Sequence, residues 1–215
     1  ESREILSGDK ELDLNQPFLE PGDSVLCFGD SLTAAKDGYV SILQNRMKQH
    51  QVINAGRGGD KTPWALTRFQ SDVIDRKPDA LMIFLGANDA AVGRGCWADE
   101  PTVSVEAYRC NLVWMCHLAK LRDIRKISIC TPAAFFEGQA YLEHGDVLAP
   151  YCMAAREAAD QCHCRLVPFD AAFRNEWARH PGHSGKLLTR DGTHLTAEGN
   201  LLLAETILEA WKITP

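Results

Sequence analysis

Residues 24–31 read SVLCFGDS, an apolar run that leads directly into a glycine, an aspartate and a serine. The four consecutive apolar residues 25–28 are typical of a strand that is buried on both faces, as in a parallel sheet covered by helices. Such a strand ends at the carboxyl edge of its sheet, where open α/β sheets bind their ligands. Ser31 is therefore a candidate nucleophile at that edge.

Strand and helix patterns alternate along the rest of the chain. The predicted strands are 24–28, 51–54, 80–85, 126–131 and 165–169. The predicted helices are 39–48, 64–75, 105–121, 147–162 and 197–211. This alternation predicts a single α/β domain, a three-layer sandwich in which helices cover both faces of a five-stranded parallel sheet. Five short strands suit the flavodoxin-like order 2-1-3-4-5.

Length and composition favour one folded domain. The chain has 215 residues, 45% of them hydrophobic, which is enough for one core covered on both faces. We expect residues 1–21 to form a polar N-terminal arm and residues 22–215 to form the domain. The irregular segments 93–101 and 132–146 follow strands at the edge that carries Ser31, so we expect them to form the rim of a pocket.

Charge and apolar patterning exclude several classes of partner. Lys and Arg number 23 against 29 Asp and Glu, a net charge of −6, and no basic run is present, so nucleic acid and anionic membranes are poor partners. The apolar stretch 80–85 is too short to span a bilayer. The first residue is Glu, which indicates a trimmed start and leaves cytoplasmic and secreted locations both open.

The eight cysteines lack the density and spacing of a disulfide-stapled scaffold. Cys162-His163-Cys164 resembles part of a zinc site, but a structural zinc site needs four donors and paired cysteine ligands. We therefore predict no metal site.

Residues 191–194 read DGTH and supply a candidate base. A serine hydroxyl is a weak nucleophile at neutral pH, so Ser31 needs a base within hydrogen-bond reach and donors for the oxyanion. His194 fits the role of base, and Asp191 fits the role of the carboxylate that fixes the imidazole tautomer. In the alternative interpretation, Asp191 and Gly192 form only a turn and His194 merely precedes a helix capped by Thr196.

Two further polar blocks follow predicted strands. Residues 54–62 read NAGRGGDKT and residues 86–89 read GAND. The first block is no dinucleotide fingerprint, because Lys61 occupies the place of the last glycine. It is no phosphate loop either, because Asp60 stands before the lysine where that motif requires glycine.

The four blocks together, in this order across residues 29–196, resemble the SGNH branch of the GDSL hydrolases, which is named for a Ser, a Gly, an Asn and a His. The resemblance implies the same parallel-sheet fold and an ester hydrolase that works through Ser31, His194 and Asp191. It also implies that Gly59 and Asn88 complete an oxyanion hole to which Ser31 contributes its backbone amide.

Asp30 is expected to support the site by bonding nearby backbone amides rather than to act as a base. Aromatic residues that follow the predicted strands are candidates to line the pocket: Trp64, Trp97, Phe135, Phe136 and Tyr141. Arg57, between glycines, is a candidate contact for an anionic or sugar group.

The resemblance implies a serine esterase that acts on small-molecule esters without a metal or an organic cofactor. The absence of a long apolar lid in the sequence favours short acyl groups, among them acetyl groups on carbohydrates. A lysophospholipase, an acyl-thioesterase and a non-catalytic binding protein on the same fold remain alternatives. Oligomeric state is left open.

Overall fold

The computed structural model describes residues 16–91, 100–132, 137, 145–183 and 185–213. Its centre is a five-stranded sheet in the order β2-β1-β3-β4-β5, and all neighbouring strands are parallel. The strands are β1 (Ser24–Gly29), β2 (Gln51–Gly56), β3 (Ala80–Phe84), β4 (Lys126–Cys130) and β5 (Arg165–Val167). The predicted sheet and its strand order are confirmed.

Helices follow the strands in the described part of the chain. They are α1 (Ser31–Ala34), α2 (Tyr39–Arg46), α3 (Thr62–Thr67), α4 (Phe69–Asp72), α5 (Val105–Lys120), α6 (Ala149–Gln161), α7 (Phe169–Ala178) and α8 (Ala197–Ala210). A short 3₁₀ turn, Ile74–Arg76, precedes β3. Within these residues, no helix is long and apolar enough to cross a membrane.

The alternation of side chains along each strand divides the core into two layers. On β1, Leu26 and Phe28 belong to a cluster with α3 to α6, whereas Val25 and Cys27 belong to a cluster with α2, α7 and α8. All four side chains are fully buried. Burial on both faces explains why the strand is a continuous apolar run rather than an alternating one.

One predicted helix and one predicted strand differ from the structure. The helix predicted over 64–75 is broken at Arg68, where the chain leaves helical geometry (φ −107°, ψ 2°) and the side chain turns into the protein. The strand predicted over 165–169 ends at Val167, and Phe169 begins a helix that was not predicted. Phe169 and Phe173 lie one helical turn apart and are both buried, so their spacing was the available signal.

Arg68 joins three segments at the carboxyl edge of the sheet. Its guanidinium donates to the carbonyl oxygens of Gly29 (2.9 Å), where β1 ends, and Ala55 (3.0 Å), near the end of β2. It also pairs with the buried carboxylate of Asp60 at 2.5 Å and lies 4.1 Å from the centre of the Phe28 ring. The arginine is 4% exposed, so these contacts are made away from water.

The described end of the predicted arm packs against the last helix. Phe18 is buried, stacks on Trp211 with ring centres 5.2 Å apart, and donates its backbone N–H to the Trp211 carbonyl at 2.8 Å. Arg165 adds a hydrogen bond to the carbonyl of Gln16 at 3.0 Å. Residues 1–15 lie outside the described residues, so the boundary between arm and domain stays a prediction.

Seven cysteines fall within the described residues, and all carry free thiols. All but Cys110 are buried, and the sulfurs of Cys116 and Cys164 lie 3.7 Å apart. In the part of the chain that the structure describes, no group of three or more His, Cys, Asp or Glu side chains could hold a metal ion.

Replacing Arg68 by methionine is expected to destabilise the protein by about 3–5 kcal/mol, because the carboxylate of Asp60 then stays buried without its partner. Arg57→Met is the matched control. Arg57 lies 3.8 Å from Asp72, a carboxylate that also pairs with Arg68 at 2.9 Å, but the Arg57 side chain is 60% exposed, so its loss should cost less than about 1 kcal/mol. Urea denaturation midpoints at neutral pH measure both, and equal shifts would contradict the role of Arg68.

Candidate active site

Ser31 lies at a sharp turn from strand to helix. β1 ends at Gly29, Asp30 caps α1 by accepting the Leu32 N–H at 2.9 Å, and Ser31 is the first residue of the helix. The turn needs glycine at position 29, because a Cβ there would lie 2.6 Å from the Phe84 carbonyl oxygen and 2.1 Å from the Thr33 hydroxyl. The serine is thereby held at the carboxyl edge of the sheet with its side chain partly exposed.

Three side chains form a hydrogen-bonded row. The Ser31 hydroxyl oxygen lies 3.2 Å from Nε2 of His194, and Nδ1 of His194 lies 2.6 Å from a carboxylate oxygen of Asp191. If the imidazole carries its proton on Nδ1 and donates it to Asp191, Nε2 is left to accept the serine proton. Residues that are 163 positions apart in the sequence are thus brought into contact.

The Asp191 carboxylate is held in its ionised form. Partial burial acts to raise its pKa, but hydrogen bonds from the His194 ring and from the backbone N–H groups of His194 (2.7 Å) and Thr193 (3.0 Å) outweigh burial and lower it to about 2. At neutral pH the carboxylate is therefore charged, and it can stabilise a protonated His194.

Asp191 and His194 lie at the tip of a loop, residues 187–196, whose two sides are joined by backbone hydrogen bonds. The Arg190 N–H donates to the His194 carbonyl at 2.7 Å, and Thr196 N–H donates to the Leu188 carbonyl at 2.9 Å. Thr196 also caps α8 through a bond from the Gly199 N–H at 3.1 Å. The turn at Asp191 and the helix cap at Thr196, which the alternative interpretation took as the only roles of this segment, are both present. Together they hold the imidazole of His194 beside Ser31.

The glycine-rich block packs against the serine. A Cβ on Gly58 would lie 4.0 Å from the Cβ of Ser31, and Gly59 has φ +80°, a conformation that favours glycine. Asn88 donates its side-chain amide to the Asp60 carbonyl at 3.0 Å, at the end of the same block, and lies 3.4 Å from the Asp30 carboxylate. The structure thus brings Asn88 and Asp30 together, and the oxyanion role of Gly59 and Asn88 stays a prediction.

Asp89 is a buried residue of the site, and no role for it was predicted from the sequence. Its carboxylate accepts the Thr62 N–H at 3.1 Å and the Thr62 hydroxyl, which also accepts from the Asn111 amide at 3.0 Å. These bonds hold the start of α3 against residues 86–89. The available signal was an acidic residue directly after Asn88 in that block.

Two buried carboxyl groups in the site have raised pKa values. Burial raises the pKa of Asp30 to about 7, with the Leu32 N–H opposing the shift and the charge of Asp89 adding to it. Burial likewise raises the pKa of Asp89 to about 6, against hydrogen bonds from Thr62. The carboxyl groups of Asp30 and Asp89 therefore take up protons close to neutral pH.

The predicted rim is only partly within the described residues. Trp64 is 37% exposed, and the Lys61 ammonium lies 5.8 Å from the centre of its ring while donating to the Pro101 carbonyl at 2.7 Å. Arg57 is directed toward Asp72 in an exposed ion pair. The other rim candidates lie outside the described residues: Trp97, Phe135, Phe136 and Tyr141.

A family model described as the GDSL-like lipase/acylhydrolase family matches residues 27–202. The chain is 33% identical over 132 residues to the uncharacterized lipoprotein YqeF of Bacillus subtilis strain 168, an alignment that covers 56% of this chain and 53% of that protein. It is also 33% identical over 79 residues to the esterase TesA of Pseudomonas aeruginosa, covering 33% of this chain and 39% of TesA. The matched part thus spans about half or less of these curated relatives.

Among solved structures, the chain is similar to the acetyl xylan esterase AlAXEase. The two share 26% sequence identity with a TM-score of 0.78, over 87% of this chain and 98% of AlAXEase.

Asn88→Ala is expected to lower kcat by about 10²–10³-fold, because the loss of one oxyanion donor removes about 2.7–4 kcal/mol of transition-state stabilisation. Asn111→Ala is the control, since this half-buried amide bonds Thr62 rather than the surroundings of Ser31. Ester hydrolysis rates and melting temperatures of both variants measure the effect. A similar loss of kcat in the two variants would contradict the prediction.

Asp30→Asn should make stability less dependent on pH. The folded-state pKa of Asp30 is raised to about 7, so its favourable contribution is fully present below pH 4 and is lost as the pH rises through 7. Relative to wild type, the variant should therefore gain up to about 4 kcal/mol in free energy of unfolding between pH 4 and pH 8. Urea unfolding across that range measures the difference, and a constant difference would contradict a buried titrating carboxyl.

Proposed function

Because the chain belongs to the GDSL-like lipase/acylhydrolase family, we propose that it is a serine esterase that hydrolyses short-acyl esters, in particular acetyl esters of carbohydrates. Family membership confirms the resemblance inferred from the four blocks and supports the assignment to the ester hydrolases. The observation on which the finer proposal rests is the hydrogen-bonded row of Ser31, His194 and Asp191.

The proposed reaction has two steps. The Ser31 oxygen attacks the ester carbonyl while its proton passes to Nε2 of His194, and Asp191 stabilises the imidazolium that forms. The oxyanion accepts hydrogen bonds from the Ser31 and Gly59 amides and from the Asn88 side chain. The alcohol leaves with the proton from His194, and a water activated by His194 then hydrolyses the acyl-enzyme.

Two observations support a short acyl group on a large polar substrate. The likeness to AlAXEase extends over nearly the whole of that acetyl xylan esterase. The catalytic base is also open to solvent, because the side chains of His194 and Asp191 are 43% and 54% exposed. An open site admits a bulky alcohol such as a polysaccharide, whereas a long acyl chain needs an apolar pocket that removes it from water.

Ser31→Ala is expected to lower turnover of p-nitrophenyl acetate by at least about 10³-fold, because the covalent route is lost. Wild type should cleave acetate faster than butyrate or octanoate and should release acetate from acetylated xylo-oligosaccharides. Ser41→Ala, a substitution on α2 away from the site, is the control and should retain full activity.

Other results would redirect the proposal. A preference for octanoate would favour the lysophospholipase or thioesterase alternative. Folded wild-type protein that neither turns over these esters nor reacts with a fluorophosphonate probe would favour a binding protein on this fold.

A further inference from the structure

Glu137 is a buried carboxylate that the proposed reaction does not use. The residue is 1% exposed, and its two oxygens accept five hydrogen bonds. The donors are the Trp177 indole N–H (2.6 Å), the backbone N–H groups of Leu187 (2.8 Å), Leu188 (2.7 Å) and Thr189 (2.6 Å), and the Thr189 hydroxyl (2.5 Å).

The three backbone donors are consecutive, at residues 187–189, and converge on one carboxylate. Successive N–H groups that point to one side form a concave anion site. Hydrogen bonds to an ionised acceptor are about twice as strong as neutral ones. Glu137 therefore fixes the first residues of the 187–196 loop, and the bond from Trp177 fastens the same carboxylate to α7.

The hydrogen bonds continue from Glu137 to the tip of the loop. The Thr189 hydroxyl donates to Glu137, so its oxygen is free to accept the Gly192 N–H at 3.1 Å. Gly192 is the residue after Asp191. Thr189 also forms a β-bridge with Leu195, the residue after His194. Through Thr189, the Glu137 carboxylate is thus linked to Gly192, which follows Asp191, and to Leu195, which follows His194.

From this connection we propose that Glu137 is a positioning residue for the catalytic base: it fixes residues 187–189 and, through Thr189, keeps His194 within reach of Ser31. The inference rests on the proposed function in taking His194 as the base. The Ser31–His194 distance of 3.2 Å is at the long end of hydrogen-bond range. Since a misplacement of 1 Å costs about 10²-fold in rate, a loosened loop should reduce turnover.

Glu137→Gln keeps the shape of the side chain but replaces one acceptor oxygen by an amide that faces N–H or O–H donors. We expect kcat for p-nitrophenyl acetate to fall about 10–100-fold, with KM changed by less than about threefold, since the substrate contacts remain.

Trp177→Phe is the matched control. It removes one hydrogen bond to Glu137 on the α7 side and leaves the four from the loop. Both substitutions should lower the melting temperature, but only Glu137→Gln should lower kcat. Equal kcat for Glu137→Gln and Trp177→Phe, each within twofold of wild type, would show that Glu137 serves stability alone and would overturn the proposal.

A second pair of variants decides the matter if Glu137→Gln fails to fold. Thr189→Val removes the hydroxyl that joins Glu137 to Gly192, whereas Thr189→Ser keeps it. The valine variant should show the loss of kcat expected for Glu137→Gln, and the serine variant should stay within twofold of wild type. Identical kcat in the two variants would overturn the proposal.

The positioning role is also measurable without turnover, which separates its failure from failure of the proposed function. The Nδ1–H proton of His194, observed by NMR, reports its hydrogen bond to Asp191. Thr189→Val should shift or broaden this resonance, and Trp177→Phe should leave it unchanged. An unchanged resonance in Thr189→Val overturns the positioning role of Glu137. Absence of Ser31-dependent hydrolysis in wild type overturns only the proposed esterase function.

Discussion

The buried guanidinium of Arg68 constrains the carboxyl edge of the sheet on which the candidate site is built. A guanidinium cannot lose its proton in a protein, so burial obliges the surrounding chain to supply acceptors. These are the carbonyls at the ends of β1 and β2 and the carboxylate of Asp60. The turn at residues 29–31 and the glycine-rich block at residues 54–62 are therefore fixed relative to each other. The break in the helix at Arg68 follows because the buried guanidinium must reach these acceptors.

A charge of opposite sign constrains the other side of the site. Glu137 gathers backbone donors from the 187–196 loop, whereas Arg68 gathers backbone acceptors from the strand ends. Each ion is nearly fully buried, and each binds main-chain groups from segments beside the site. The carboxyl edge of the sheet thus carries Ser31, Arg68 binds the strand ends beside it, and under our proposal Glu137 positions the loop that carries His194.

Local sequence patterns were sufficient for the sheet. Apolar runs such as 25–28 identify strands buried on both faces, and their alternation with helices leads to the observed order. The same patterns failed where a run crosses a boundary. Residues 165–169 include the strand and the first residue of α7, and hydrophobicity does not distinguish a buried strand end from a buried helix start.

The candidate site was predictable to the extent that its residues lie in the four blocks. Ser31, His194 and Asp191 were named from the sequence, and His194 lies within hydrogen-bond distance of both Ser31 and Asp191. Arg68 and Glu137 were missed because each binds backbone groups that are distant in sequence: 39 residues separate Arg68 from Gly29, and 52 separate Glu137 from Thr189. A lone charged residue in a sequence is typical of a solvated surface, and only the fold reveals that these two are buried.

The separation of 163 residues between Ser31 and His194 has a consequence for biosynthesis. β1, which leads into Ser31, pairs with β2 and β3. All three strands are synthesised early, within the first part of the chain. The imidazole leaves the ribosome much later, after β4, β5 and α7 have been made. Under the proposed mechanism, the base for Ser31 is therefore among the last parts of the site to be made, so ester hydrolysis requires nearly the whole chain.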